Sequence, residues 1–163
     1  MKKWILSLLS AAFVLGGTGI AGASTWIKID LSSQKAYLYK NGRLITSTPI
    51  SSGKKGRRTP TGTYSVSQKD KWHRSGYYGS YVNKRTGKVV RSNVDSRSTS
   101  PPRGSYYRGA SMFYFLRFNG AIGMHAGHLP GYPASHGCVR LPSSKAQIFY
   151  NYAGVGTKVV VQY

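Results

Sequence analysis

Apolar and polar residues alternate with period two at several places along this 163-residue chain. Trp26-Ile27-Lys28-Ile29-Asp30-Leu31 and Lys35-Ala36-Tyr37-Leu38-Tyr39-Lys40 each read as a half-buried strand, with the turn Ser32-Ser33-Gln34 between them. Asn41-Gly42 is a two-residue hairpin signal, since both residues tolerate the left-handed backbone of a tight turn, and it leads into a third strand from Arg43 to Thr48. Further strands are predicted over Thr63 to Ser67, Met112 to Phe118, Ala121 to Met124 and Lys158 to Gln162. The single helical signal starts at a Ser143 or Ser144 cap, runs to about Ala153 and is ended by Gly154. The fold class is mainly β with one short helix.

Two stretches break the alternation. Ser52 to Gly62 is turn-rich and basic; it lacks P-loop spacing and no helix follows it, so it reads as a connection between strands. From Lys69 to Gly109 the composition shifts to Gly, Ser, Arg and Tyr. One hairpin is predicted there around Tyr81 to Val90, and Pro101-Pro102 bars regular structure, so the stretch reads as a long loop or lid. Its aromatic residues Trp72, Tyr77, Tyr78, Tyr81, Tyr106 and Tyr107 either stack on a ligand or form a partial core beneath the loop.

Residues 1–23 have the layout of a secretory signal peptide: Lys2 and Lys3, an apolar run from Trp4 to Leu15, and the small-residue site Ala21-Gly22-Ala23. The apolar run falls short of the ~20 residues that a membrane span takes. Cleavage leaves residues 24–163 as one domain, exported to the periplasm or cell wall, with no stable membrane span and read as a monomer.

Charge then narrows the partners. The chain carries 24 lysines and arginines against three acids, a formal charge of +21, and loss of Lys2 and Lys3 still leaves +19. In a cytosolic protein that excess suggests nucleic acid, but an exported one meets other polyanions, so no nucleic-acid partner is expected. Asp30, Asp70 and Asp95 are the only carboxylates. Chemistry that needs two carboxylates, or a Cys-His-Asp triad drawn from the C-terminal half, is disfavoured.

The sole cysteine, Cys138, lies in Ser135-His136-Gly137-Cys138-Val139-Arg140, thirteen residues after His125. An exported chain with one cysteine has no internal disulfide partner for it. A thiol becomes a strong nucleophile as thiolate, and His125, His136 and Arg140 supply a base or a positive charge nearby. Gly137 lets the backbone turn sharply before the nucleophile. With no carboxylate close in sequence, the histidine acting as base would be oriented by a backbone carbonyl or a hydroxyl. The implied reaction is acyl transfer through a thioester. Two competing readings are a zinc site built from His125, His128, His136 and Cys138, and a buried structural cysteine. His73 and His128 are assigned no catalytic role.

Residues 122–142, together with Ile27-Lys28-Ile29-Asp30-Leu31, Ser33-Gln34, Gly53 and Thr59-Pro60-Thr61-Gly62, resemble the L,D-transpeptidases of bacterial cell walls, the YkuD-type catalytic domain. The resemblance implies a β-sandwich-like fold and no cofactor or metal. It implies that Cys138 is the acylated nucleophile, that His125 is the base, and that the Ala126 carbonyl orients it. His136 and Gly137 would shape the oxyanion region, Ser135 would hydrogen-bond within the motif, and Arg140 would position substrate or thiolate. The implied substrates are peptidoglycan tetrapeptide stems. The acyl group would pass to an amine of another stem, to an outer-membrane lipoprotein, or to water. A sortase-like cysteine transpeptidase and a non-catalytic wall-binding module are the alternatives.

Overall fold

A computed structural model describes residues 24–163; the expected signal peptide, 1–23, lies outside the described residues. The strands are β1 (Thr25–Asp30), β2 (Lys35–Lys40), β3 (Arg43–Pro49), β4 (Gly62–Ser65), β5 (Gln68–Asp70), β6 (Arg74–Asn83), β7 (Val89–Asp95), β8 (Ser105–Ser111), β9 (Phe115–Asn119), β10 (Ile122–Ala126), β11 (Val139–Leu141) and β12 (Lys158–Gln162). One helix, α1 (Ser143–Tyr152), lies between β11 and β12.

Three sheets result, ordered β3-β2-β1-β12-β4, β11-β10-β9-β5 and β7-β6-β8. The first follows the alternation in the sequence: Ile27, Ile29, Ala36, Leu38, Val159 and Val161 turn inward and are fully or almost fully buried. From the second sheet Leu116, Phe118, Met124, Val139 and Leu141 meet them in one core, which Ala146 and Phe149 of α1 complete. The apolar faces of two sheets thus cover each other, as a sandwich requires. Asn41 and Gly42 both take positive φ, 52° and 74°, as the primed hairpin turn demands.

Several expectations need correction. The 69–109 stretch is not an irregular loop with one hairpin; β6, β7 and β8 make it a three-stranded antiparallel sheet. β7 and β8 are largely exposed and β6 is mostly half-buried, so little alternation marks them in sequence. The strand expected from Met112 begins only at Phe115, because Tyr114 takes a left-handed backbone at φ 58°. Pro142, rather than Ser143 or Ser144, holds the N-cap position of α1, with no side-chain cap. Proline fits there because it lacks the N–H that a helix start leaves unpaired.

The Ser52–Gly62 loop does more than connect strands. Ser51 bridges Arg140 and Gly53 bridges Ser135, so residues 51–53 run beside the cysteine segment. Ser51 and Arg140 exchange two backbone hydrogen bonds of 3.0 Å, Ser135 N–H donates to the Ser52 carbonyl, and Lys54 N–H donates to the Ser135 carbonyl. Gly53 has to be glycine: a Cβ there would lie 2.1 Å from the Arg57 carbonyl oxygen.

Candidate active site

β10 and β11 are parallel neighbours, with Met124 opposite Val139, His125 opposite Arg140 and Ala126 opposite Leu141. Side chains alternate along a strand. Met124, Ala126, Val139 and Leu141 therefore enter the core, while His125 and Arg140 face the other way. Cys138, two residues before Arg140, opens on that same outward side. His125, Ala126, Ser135, His136, Cys138 and Arg140 all line one cavity of about 800 Å³. The structure thus brings together the expected side chains, although the sequence holds them in two segments.

His125 is buried, 7% exposed, and its Nδ1 lies 2.8 Å from the Ala126 carbonyl. A carbonyl only accepts, so Nδ1 carries the proton and Nε2 keeps a free lone pair. Burial pushes the His125 pKa down to about 4; the Ala126 hydrogen bond opposes this, and the charges of Arg140 and His73 add to it. Burial likewise pushes the Cys138 thiol up, against the Gly123 backbone amide and the positive charges of Arg117 and Arg140. The resting pair is therefore a neutral thiol and a neutral imidazole. The thiolate expected from the surrounding positive charge does not prevail, because desolvation outweighs it.

The turn before Cys138 is held from within and from outside. Ser135 donates its hydroxyl to the Cys138 carbonyl and accepts the Gly137 N–H at 3.0 Å. Gly137 takes φ +125°, a backbone that other residues rarely adopt. Its N–H is thus committed to Ser135, and Gly137 shapes the turn rather than offering that amide to a ligand. Thr59, buried at 2% exposure, donates to the Gly137 carbonyl and accepts the Gly53 N–H.

His136 is not packed against His125; its ring stacks on Tyr78 of β6, with centroids 4.2 Å apart and planes 13° apart. Burial lowers its pKa, and the charges of Lys54, Arg57 and Arg140 lower it further. The Tyr78 hydroxyl accepts hydrogen bonds from Arg57 and Arg97, and Arg97 also pairs with Asp95 at 2.6 Å. The three-stranded sheet thereby covers one side of the cavity. Arg57, Arg74, Arg97, Arg117 and Arg140 all reach its lining. Five guanidinium groups suit a ligand with several carboxylates.

No site role was expected for Arg57, Thr59 or His73, although Thr59 is among the residues that carry the family resemblance. His73 and His128 both line the cavity. The signal for Tyr78 was present only as one aromatic among many. Among the described residues no three His, Cys, Asp or Glu side chains group as a metal site requires. Nor is the cysteine sealed in the core, since Cys138 is half-buried and reaches the cavity. Among the described residues, no helix is long and apolar enough to cross a membrane.

The family model of the YkuD L,D-transpeptidase catalytic domain matches residues 24–161. No curated protein matches the chain by sequence. Among solved structures, an L,D-transpeptidase from Mycobacterium smegmatis is 19% identical with a TM-score of 0.64, covering 87% of this chain and 60% of that one. One from Stackebrandtia nassauensis is 18% identical with a TM-score of 0.63, covering 90% and 62%. Another, from Mycobacterium tuberculosis, is 20% identical with a TM-score of 0.62, covering 87% and 59%. The chain thus spans about three fifths of the length of these structures, and at such identities they show the fold alone. The family match, not the sortase-like alternative, accounts for the strands, the cysteine segment and the upstream histidine together: the chain belongs to the YkuD family of L,D-transpeptidase catalytic domains.

Proposed function

We propose that this domain is a cysteine-dependent L,D-transpeptidase, exported to the periplasm or cell wall, that acts on peptidoglycan tetrapeptide stems. One observation carries the reading: His125 and Cys138 open into the same arginine-lined cavity, with the base already oriented by the Ala126 carbonyl. The Cys138 sulfur attacks the carbonyl carbon of the amide between the diamino acid and the terminal D-alanine, while Nε2 of His125 takes the thiol proton. Because both groups rest neutral, proton transfer accompanies attack rather than preceding it. An imidazolium with so low a pKa is a ready acid, and it hands the proton to the departing D-alanine amine. A thioester on Cys138 remains. An amine of another stem or of an outer-membrane lipoprotein then displaces the sulfur, or water does so in a carboxypeptidase side reaction.

The remaining residues prepare this step. Ser135 and Thr59 fix the turn around Gly137, His136 borders the oxyanion region under Tyr78, and Arg140 reaches across Gly127 toward the bound stem. The arginines meet the free carboxylates of the stem.

The test is intact-mass measurement after incubation with a carbapenem, whose ring opening traps the acyl-enzyme. Wild type is expected to gain one adduct, and Cys138→Ala none, with an unchanged circular-dichroism spectrum. A folded wild type that stays unmodified, or an adduct that survives in Cys138→Ala, overturns the proposal.

A further inference from the structure

Outside the proposed catalytic pair, the cavity holds a second oriented imidazole. His73 lies just before β6, and its Nδ1 is 3.1 Å from Oδ2 of Asp70 at the end of β5. A carboxylate only accepts, so Nδ1 carries the proton and Nε2 is left basic. The other oxygen of Asp70 accepts the Trp72 N–H at 3.0 Å, which fixes the carboxylate in turn. The His73 ring stacks on Phe115, with centroids 4.2 Å apart and planes 9° apart. That same Phe115 ring lies 6.4 Å from His125, so one aromatic neighbours both imidazoles. His73 lines the cavity alongside Cys138.

The placement of the carboxylates singles this pair out. Asp30 is occupied by Ser32, Ser33 and Lys28, and Asp95 by Arg97. Among the described residues Asp70 is the one acid paired with a histidine, and that histidine reaches the cavity that five arginines also line. Such a cavity repels an incoming ammonium ion. Acyl transfer nevertheless needs an amine with a free lone pair, and one of the lysine type has a pKa of ~10.4 and arrives protonated. His125 does not meet this need alone, since in the transfer step it carries the second amine proton to the departing sulfur.

Resting on the transpeptidase reading above, we propose that His73, oriented by Asp70, is the base that deprotonates the acceptor amine. The acceptor R–NH3+ gives one proton to Nε2 of His73, while Nδ1–H stays hydrogen-bonded to Asp70. The freed lone pair attacks the thioester carbon, the carbon–sulfur bond breaks, and an amide forms. The second amine proton passes through His125 to the departing sulfur, restoring the thiol, while His73 returns its proton to solvent.

The test measures how the acyl-enzyme partitions between amine and water, using a tetrapeptide stem ending in D-alanine as donor. Only molecules that form the thioester contribute to this ratio, so misfolded protein and slow acylation drop out of it. The acceptors are Nα-acetyl-lysine and an alkoxyamine that is already neutral at the assay pH. In His73→Gln the ratio should fall ~100-fold for the lysine amine, the usual scale of general-base catalysis, and stay within about threefold for the alkoxyamine. Asp70→Asn should lower it in the same direction, by about tenfold. An equal fall for both amines would mean that His73 only packs the cavity, and no change for either would remove it from the transfer step; each overturns the proposal. Wild type that forms no thioester would sink instead the reading on which it rests.

Discussion

Thr59 donates its hydroxyl to the Gly137 carbonyl at 2.7 Å, so a residue 78 positions upstream fixes the turn that delivers Cys138. The same oxygen accepts the Gly53 N–H at 3.0 Å. One hydroxyl thus satisfies a buried acceptor and a buried donor on two separate loops.

Thr59→Val keeps the shape and removes both bonds. Leaving two buried polar groups unpaired should cost about 2 kcal/mol or more. Urea denaturation should show this loss, and carbapenem acylation of Cys138 should slow as the turn loosens. Unchanged stability would mean that water replaces the hydroxyl.

Gly123 has no room for a side chain: a Cβ there would lie 2.4 Å from the Phe115 ring and 2.6 Å from the Leu116 carbonyl oxygen. Gly123→Ala should therefore destabilise the domain by about 1–3 kcal/mol, in the range of other overpacked cores. Thermal unfolding with the variant beside wild type measures it. Because Phe115 stacks on His73 and packs near His125, the variant should also slow acylation.

Acid should weaken the fold through His125. Its pKa is about 4 in the folded state against 6.5 unfolded, so between those values the unfolded chain binds more protons. Stability therefore rises with pH across that window, and on acidification it is lost from about pH 6.5 downward, levelling off near pH 4. The full loss is on the order of 3 kcal/mol. Asp30 and Asp95, held down to about 2, act separately, below their ordinary value of 3.8. Urea melts from pH 7 to 4 should show the slope, and His125→Gln should flatten it.

Tyr78 shields His136 and receives Arg57 and Arg97. In Tyr78→Ala the imidazole becomes more fully hydrated, so its pKa should climb toward the ordinary histidine value. A rise in KM of about tenfold for a stem peptide should accompany it. Tyr78→Phe keeps the stacked ring and should leave the His136 titration near wild type. NMR titration of the ring protons separates the two variants.

What the sequence revealed and what it concealed differ for physical reasons. Ile27 and Ile29, or Val159 and Val161, alternate with exposed residues because one face of their sheet is packed, so periodicity exposed those strands. The β6–β7–β8 sheet has no such one-sided burial, and its Gly, Ser and Tyr residues read as loop. Cys138 and His125 were legible because the chemistry confines residue types to short motifs. The roles of Thr59, Tyr78 and His73 were not, since Thr59 acts on the Gly137 carbonyl from 78 positions away, and Tyr78 and His73 are placed by rings that any aromatic could supply. The neutral state of the thiol was hidden for a similar cause: local sequence displays the positive charges but not the depth of burial that overrides them.

β12 lies between β1 and β4 and runs parallel to β1, pairing Trp26 with Lys158 and Asp30 with Gln162. A polypeptide threaded outward from its N-terminal side therefore presents β1 long before the neighbour it needs. Until Lys158–Gln162 emerges, the largest sheet is split in two, with a bare edge on each half. Assembly must wait for that strand to arrive, and removing it would unmake the scaffold rather than trim it.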